Sequence, residues 1–226
     1  MYEELQKQYE LLSLEDKNAL LIYKSRLFDF INRIDLILSD NQIKEEYKRK
    51  YEDFKKIINM PENSFIKYSI FNNITLKTYD SFLQSLKIIE QRIANIECIK
   101  LPSDTKLYRA VTLKNSNDIM KISTSNLIST SLDIEVTDLF YTYDGQDILY
   151  QINLYSETPC LIVPYSIKAY EKCGKQILKI EKNDSQKEII ILKNLLNFEI
   201  ISKQHLVKEN LTIVKIETSY NKNISK

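Results

Sequence analysis

The chain has 226 residues, is 43% hydrophobic and balances 32 basic against 31 acidic residues, so it can bury a substantial core and projects no whole-molecule field toward nucleic acid or an anionic membrane. Two glycines, Gly145 and Gly174, cannot build a dinucleotide fingerprint or a phosphate-cradling P-loop, and one histidine (His205) with three dispersed cysteines supports neither a metal site nor a Ser/His or Cys/His dyad. No apolar run approaches bilayer length and the N-terminus reads as charged helix, so no membrane association is expected, and the location is expected to be cytoplasmic or a target cell reached without a classical signal peptide.

Along the first hundred residues, apolar side chains recur at three- and four-residue spacing. The pattern predicts helices over 3–12, 14–38, 43–59 and 78–96. Ser13 is the expected N-cap of the second, with Asp16 at its third position, and Pro61 stops the third. From residue 106 the period shortens to two. "KLYRAV", "DILYQINLY", "CLIVPY", "KQILKIE", "EIIIL", "FEIISKQHL" and "LTIVKIE" are rich in β-branched and aromatic residues and separated by turns such as "YDGQD" and "KNDS". Helices followed by strands predict an α+β architecture, taken as one domain over 1–226 with a helical part to residue 100 and a β-rich part from 101. Cys98, Cys160 and Cys173 are expected to be small core hydrophobes.

Three positions do not suit a plain sheet. Arg109 falls on the strand face shared by Leu107 and Val111, where it must reach solvent, pair, or await an anion. Glu188 begins "EIIIL", a strand apolar on both faces and therefore expected to be central; a carboxylate there lies either at an exposed strand end or in a polar site. Ile-Ser-Thr-Ser occurs twice, ending at Ser125 and at Ser131. The first copy is followed by the turn former Asn126. Behind the second, Leu132, Val136, Leu139 and Phe140 are helix-spaced, so Ser129–Ser131 sits where a strand gives way to a helix and is the preferred functional copy, with Ser129 and Ser131 on one side.

In order, "LYRAV", "ISTSL" and "QKEIIIL" resemble the three-part signature of the Arg/Ser-Thr-Ser/Glu class of mono-ADP-ribosyltransferases, and the Gln-x-Glu spacing resembles the bacterial Rho-modifying exoenzymes. "LSLEDKNALLIYKSRLFDFIN" is similar to the early helix of that family, and the likeness covers most of residues 13–217. The resemblance implies a helical layer packed on a split mixed or antiparallel sheet with an NAD cleft, and it implies NAD as co-substrate with no metal. It implies Glu188 stabilising the cation that develops on the ribose, Ser129 orienting that carboxylate, and Arg109 holding the diphosphate. Gln186 would position the acceptor, while Thr130, Ser131, Asn32 and Phe140 would complete the NAD contacts, with Tyr141 or Tyr143 stacking and Lys24 or Arg33 lending charge. Nicotinamide departs neutral, so one carboxylate suffices where glycoside hydrolysis uses two. The implied acceptor is a macromolecule: a protein Asn or Gln is favoured by the near-zero net charge, a small GTPase being one such protein, and a nucleic-acid base is the other option. Where the Rho-modifying enzymes carry an aromatic residue shortly before Gln-x-Glu, this chain has Lys182, Asn183, Asp184 and Ser185, and no arginine follows Arg109. The implied protein is a toxin or effector acting as a monomer, with slow NAD hydrolysis as a side activity. The alternative is a non-catalytic binding, adaptor or immunity protein on a degenerate transferase fold.

Overall fold

The computed structural model describes residues 2–96, 99–113, 127–141, 145–182, 187–193 and 196–220. The fold is α+β, with seven helices and ten strands among the described residues. No helix among them is long and apolar enough to cross a membrane. Its contacts divide into two compact units. One comprises Met1–Gln8, Glu97–Ile162 and Asp184–Lys226; the other comprises Tyr9–Ile96 and Val163–Asn183. The change of period near residue 100 therefore differs from the division of contacts, because one late β-hairpin belongs with the helices.

In the helical unit, Ser13 caps helix α2 (Leu14–Tyr23) by accepting the Asp16 amide at 3.1 Å, and its hydroxyl donates to the Asp16 carboxylate at 2.6 Å. The single helix expected over 14–38 is interrupted. After α2 come α3 (Phe28–Asn32) and α4 (Ile34–Ser39). Ser25 offers a local reason: its hydroxyl donates to the Ile22 carbonyl at 2.6 Å and accepts the Leu27 amide at 3.2 Å, competing with the helical ladder. Helix α5 (Asn41–Ile58) is capped by Asp40 and buries Tyr47, Tyr51 and Phe54 on one stripe. Pro61 opens a short 3-10 turn leading into α6 (Ser64–Ser69), a helix too short to register in the periodicity. Helix α7 (Tyr79–Ala94) starts at a Thr78/Ser81 capping box. Phe82 of α7 meets Phe30 and Tyr51 at centroid distances of 5.3 and 4.9 Å, making an aromatic centre for the unit.

The hairpin in this unit pairs β6 (Tyr165–Lys172) with β7 (Lys175–Lys182), of which β6 was not anticipated as a separate strand. Cys173 and Gly174 join them with φ of 52° and 71°, the two left-handed residues of a tight hairpin turn. Asn63 is 1% exposed and donates to the Gln176 carbonyl at 2.9 Å while accepting the Leu178 amide at 2.8 Å. An isolated two-stranded ribbon is marginal in water, and this amide extends its pairing. Cys160 is buried as expected for a core residue, whereas Cys173 is exposed on the turn; Cys98 lies outside the described residues.

The other unit is built on an eight-stranded sheet in the order β1-β5-β8-β3-β2-β4-β10-β9. Its strands are β1 (Ile99–Leu101), β2 (Lys106–Leu113), β3 (Leu127–Ser131), β4 (Gln146–Leu154), β5 (Thr158–Ile162), β8 (Glu188–Leu192), β9 (Leu196–Leu206) and β10 (Leu211–Tyr220). Strand β4 runs parallel to β10 and every other pairing is antiparallel, so the sheet is mixed. Gly145 precedes β4 where a Cβ would stand 2.5 Å from the Leu113 carbonyl oxygen, an approach that only glycine permits. Strand β8 is interior, between β5 and β3, and all five of its residues are buried. This is the environment that "EIIIL" requires.

Candidate active site

Strands β3 and β8 pair over their whole length, with Ser131 opposite Glu188, Thr130 opposite Ile189 and Ser129 opposite Ile190. Residues directly opposed in an antiparallel pair share a face, so Ser129, Ser131, Glu188 and Ile190 line one side of the sheet. Glu188 is 3% exposed; it is not the solvated strand-end charge that the bare sequence left open. Its Oε1 accepts a hydrogen bond from the Ser129 hydroxyl. Ser129 is thus the diagonal partner of the carboxylate, two residues back from the directly opposed Ser131. A glutamate side chain leaning along its strand reaches that diagonal neighbour readily.

Strand β2 meets β3 at the single register pair Tyr108–Ser131. Beside it the Arg109 guanidinium donates from Nη1 to the Ser129 carbonyl at 2.7 Å. Ser129 is therefore held twice, by its hydroxyl to Glu188 and by its carbonyl to Arg109. A buried carboxylate is costly unless polar partners accompany it, and the Ser129 hydroxyl is such a partner.

Thr130 faces away from this cluster. It is 4% exposed and its hydroxyl donates to the Ile189 carbonyl at 2.8 Å, locking β3 against β8 from the opposite face. The Ser131 hydroxyl accepts the Asp133 amide at 2.9 Å and turns the chain out of the strand. The helix expected after Ser131 is a 3-10 turn, Glu135–Phe140. Asn32 and Arg33 belong to the helical unit, where Asn32 accepts the Tyr23 hydroxyl at 3.2 Å and Arg33 pairs with Asp29 at 3.2 Å. Lys24, in the same unit, stands 5.7 Å from the Phe28 ring centroid. His205 meets the Thr212 hydroxyl at 3.0 Å across β9 and β10. Gln186, Asn183–Ser185, Tyr143 and the first Ser-Thr-Ser copy lie outside the described residues.

Two residues escaped the sequence reading. Lys187 Nζ bonds the Asp133 carboxylate at 3.1 Å, and the Lys187 carbonyl accepts the Leu132 amide at 3.4 Å. The hydrogen bond from Lys187, with that from the Glu135 amide, holds the Asp133 carboxyl below its ordinary pKa. The two charges sit inside the two motifs, "TSLD" and "QKE", but their meeting follows from the β3–β8 register, which no local spacing reveals.

The chemistry available is that of a buried carboxylate oriented by one hydroxyl, with a guanidinium fixed to the same strand. Such a set can hold a sugar hydroxyl and stabilise a developing positive charge. Among the described residues no group of three His, Cys, Asp or Glu is arranged to hold a metal ion. No protein-family model matches the chain, and no curated protein sequence does. Solved structures similar to it include bacterial ADP-ribosyltransferases. The Vis enzyme of Vibrio splendidus, bound to agmatine, aligns with 100% of this chain and 85% of its own at 12% identity and a TM-score of 0.46. The C3 exoenzyme of Clostridium limosum aligns with 97% and 95% at 14% identity and a TM-score of 0.44. An ADP-ribosyltransferase of Clostridium botulinum aligns with 95% and 94% at 15% identity and a TM-score of 0.43. Likeness at this level concerns the course of the chain and says nothing of activity.

Proposed function

We propose that the chain is an NAD-dependent mono-ADP-ribosyltransferase, with Glu188 as catalytic carboxylate, Ser129 as its orienting hydroxyl and Arg109 as the cation for the diphosphate. The observation that carries this reading is the hydrogen bond from the half-buried Ser129 to the buried Glu188, on a strand whose Ser129 carbonyl is held by Arg109. The donor set suits NAD, which would supply an ADP-ribosyl group and a neutral leaving group. Glu188 accepts a ribose hydroxyl and sets negative charge beside the carbon that becomes electron-poor as nicotinamide leaves. Ser129 keeps that carboxylate in one rotamer, so little reorganisation remains for the reacting state. Arg109 suits the diphosphate because its guanidinium is planar and permanently charged. Gln186, two positions before Glu188, meets the acceptor. The acceptor is a macromolecule: a protein Asn or Gln comes first because a net charge of +1 gives no general attraction to nucleic acid. A nucleic-acid base comes second. The role is that of a toxin or effector.

The test is nicotinamide release from NAD by the purified chain, with Glu188→Gln as the control that keeps shape and removes charge. Release that falls by at least about two orders of magnitude in Glu188→Gln supports the assignment. Release absent from the unaltered protein at high concentration, or undiminished in Glu188→Gln, refutes it in favour of a binding module. Incubating cell lysate with labelled NAD then identifies the acceptor class, since label on a protein is destroyed by protease and label on a nucleic acid by nuclease.

A further inference from the structure

Lys187 stands immediately before Glu188 with φ of +41°, in the left-handed region that a side-chain-bearing residue enters only at a cost. What surrounds it is a closed set of contacts. Its ammonium bonds Asp133 Oδ2 at 3.1 Å, and its carbonyl accepts the Leu132 amide at 3.4 Å. Asp133 is itself fixed at both ends: Oδ1 accepts the Glu135 amide at 3.1 Å, and its own amide donates to the Ser131 hydroxyl at 2.9 Å. Ser131 in turn lies opposite Glu188 across the strand pair. The two residues that follow the Ser-Thr-Ser strand are thus each joined to the residue before the glutamate, Leu132 through backbone and Asp133 through charge.

We infer that the Asp133–Lys187 pair is a clasp that holds the left-handed backbone at Lys187 and thereby sets the direction in which Glu188 enters its strand. Both are positioning residues, and the inference rests on the proposed catalytic role of Glu188. Exposed ion pairs are usually weak because two long side chains must be ordered to form them. Here the carboxylate is already held by the Glu135 amide, so less freedom is lost on closure. A left-handed residue without glycine persists only where its surroundings over-determine it, and the clasp is that determinant.

Three variants separate backbone from charge. Asp133→Ala and Lys187→Ala remove the pair and leave a side-chain-bearing residue in the left-handed conformation, whereas Lys187→Gly removes the pair and the conformational cost together. The clasp predicts that Asp133→Ala and Lys187→Ala each lower kcat for nicotinamide release about tenfold with KM for NAD unchanged, and that Lys187→Gly stays within about threefold of the unaltered protein. Hydrogen exchange at the Leu132 amide gives a second readout that needs no NAD. It should speed up about tenfold in the two alanine variants and stay within about threefold in Lys187→Gly. Exchange unchanged in Asp133→Ala, or Lys187→Gly as impaired as Lys187→Ala, overturns the inference. If the unaltered protein releases no nicotinamide, the functional reading fails, while the exchange measurement still decides the clasp.

Discussion

Ser129→Ala removes one hydroxyl donor from Glu188 and nothing else of size. The carboxylate is 3% exposed, so water does not replace the lost donor without rearrangement of the strand mouth. A hydrogen bond to a charged group is worth about 1.5–3 kcal/mol. If that orientation is needed only as nicotinamide leaves, the whole sum falls on the barrier, and at about 1.4 kcal/mol per decade kcat drops roughly 10- to 150-fold. KM for NAD should change little, because the Arg109 charge is untouched. The assay is steady-state nicotinamide release by purified Ser129→Ala, with a thermal melt to confirm folding. Ser123→Ala, in the first Ser-Thr-Ser copy, serves as the matched control and should keep its rate. Wild-type kcat in Ser129→Ala would refute the reasoning, and a loss in Ser123→Ala alone would assign the site to the other copy.

Gln186→Ala is expected to reduce transfer to the acceptor strongly while leaving slow NAD hydrolysis by water largely intact, measured as labelled acceptor against free ADP-ribose; equal loss of both would move Gln186 into the NAD pocket. Acid should loosen the helical unit through Asp29. Burial alone would raise this carboxyl, but hydrogen bonds from Lys50 and Tyr47 with the charges of Lys50 and Arg33 outweigh it and hold the pKa below the ordinary aspartate value. A depressed folded-state pKa contributes stability above the unfolded value that is lost as pH falls through the folded one. Melting temperature should therefore fall below about pH 4, and Asp29→Asn should flatten that part of the curve; an unchanged slope in Asp29→Asn contradicts the assignment.

Much of this protein is written in local pattern. The alternation in "KLYRAV" and the β-branched run in "EIIIL" announced strands, the apolar character of "EIIIL" on both faces announced an interior strand, and Ser13 with Asp16 announced a helix start. Motif order brought Arg109, Ser129 and Glu188 forward together. The break at Ser25 went unseen because a side-chain hydroxyl that competes with a helical ladder leaves the apolar spacing intact. Helix α6 went unseen because six residues make under two turns, and strand β6 because its second half, "AYEK", is mostly exposed and polar and does not sustain an apolar alternation.

Sequence alone determined most of the elements and the near-neutral charge, since propensity, hydrophobic period and composition act over a few residues, and the order of its three motifs put forward the candidate chemistry. Tertiary structure alone decided that Glu188 is buried, that the Thr130 hydroxyl bonds the Ile189 carbonyl, and that Asp133 meets Lys187. Each depends on the register of β3 against β8, strands separated by more than fifty residues of chain. Because side chains alternate along a strand, a one-residue slip in that register would carry Ser129 to the face opposite Glu188.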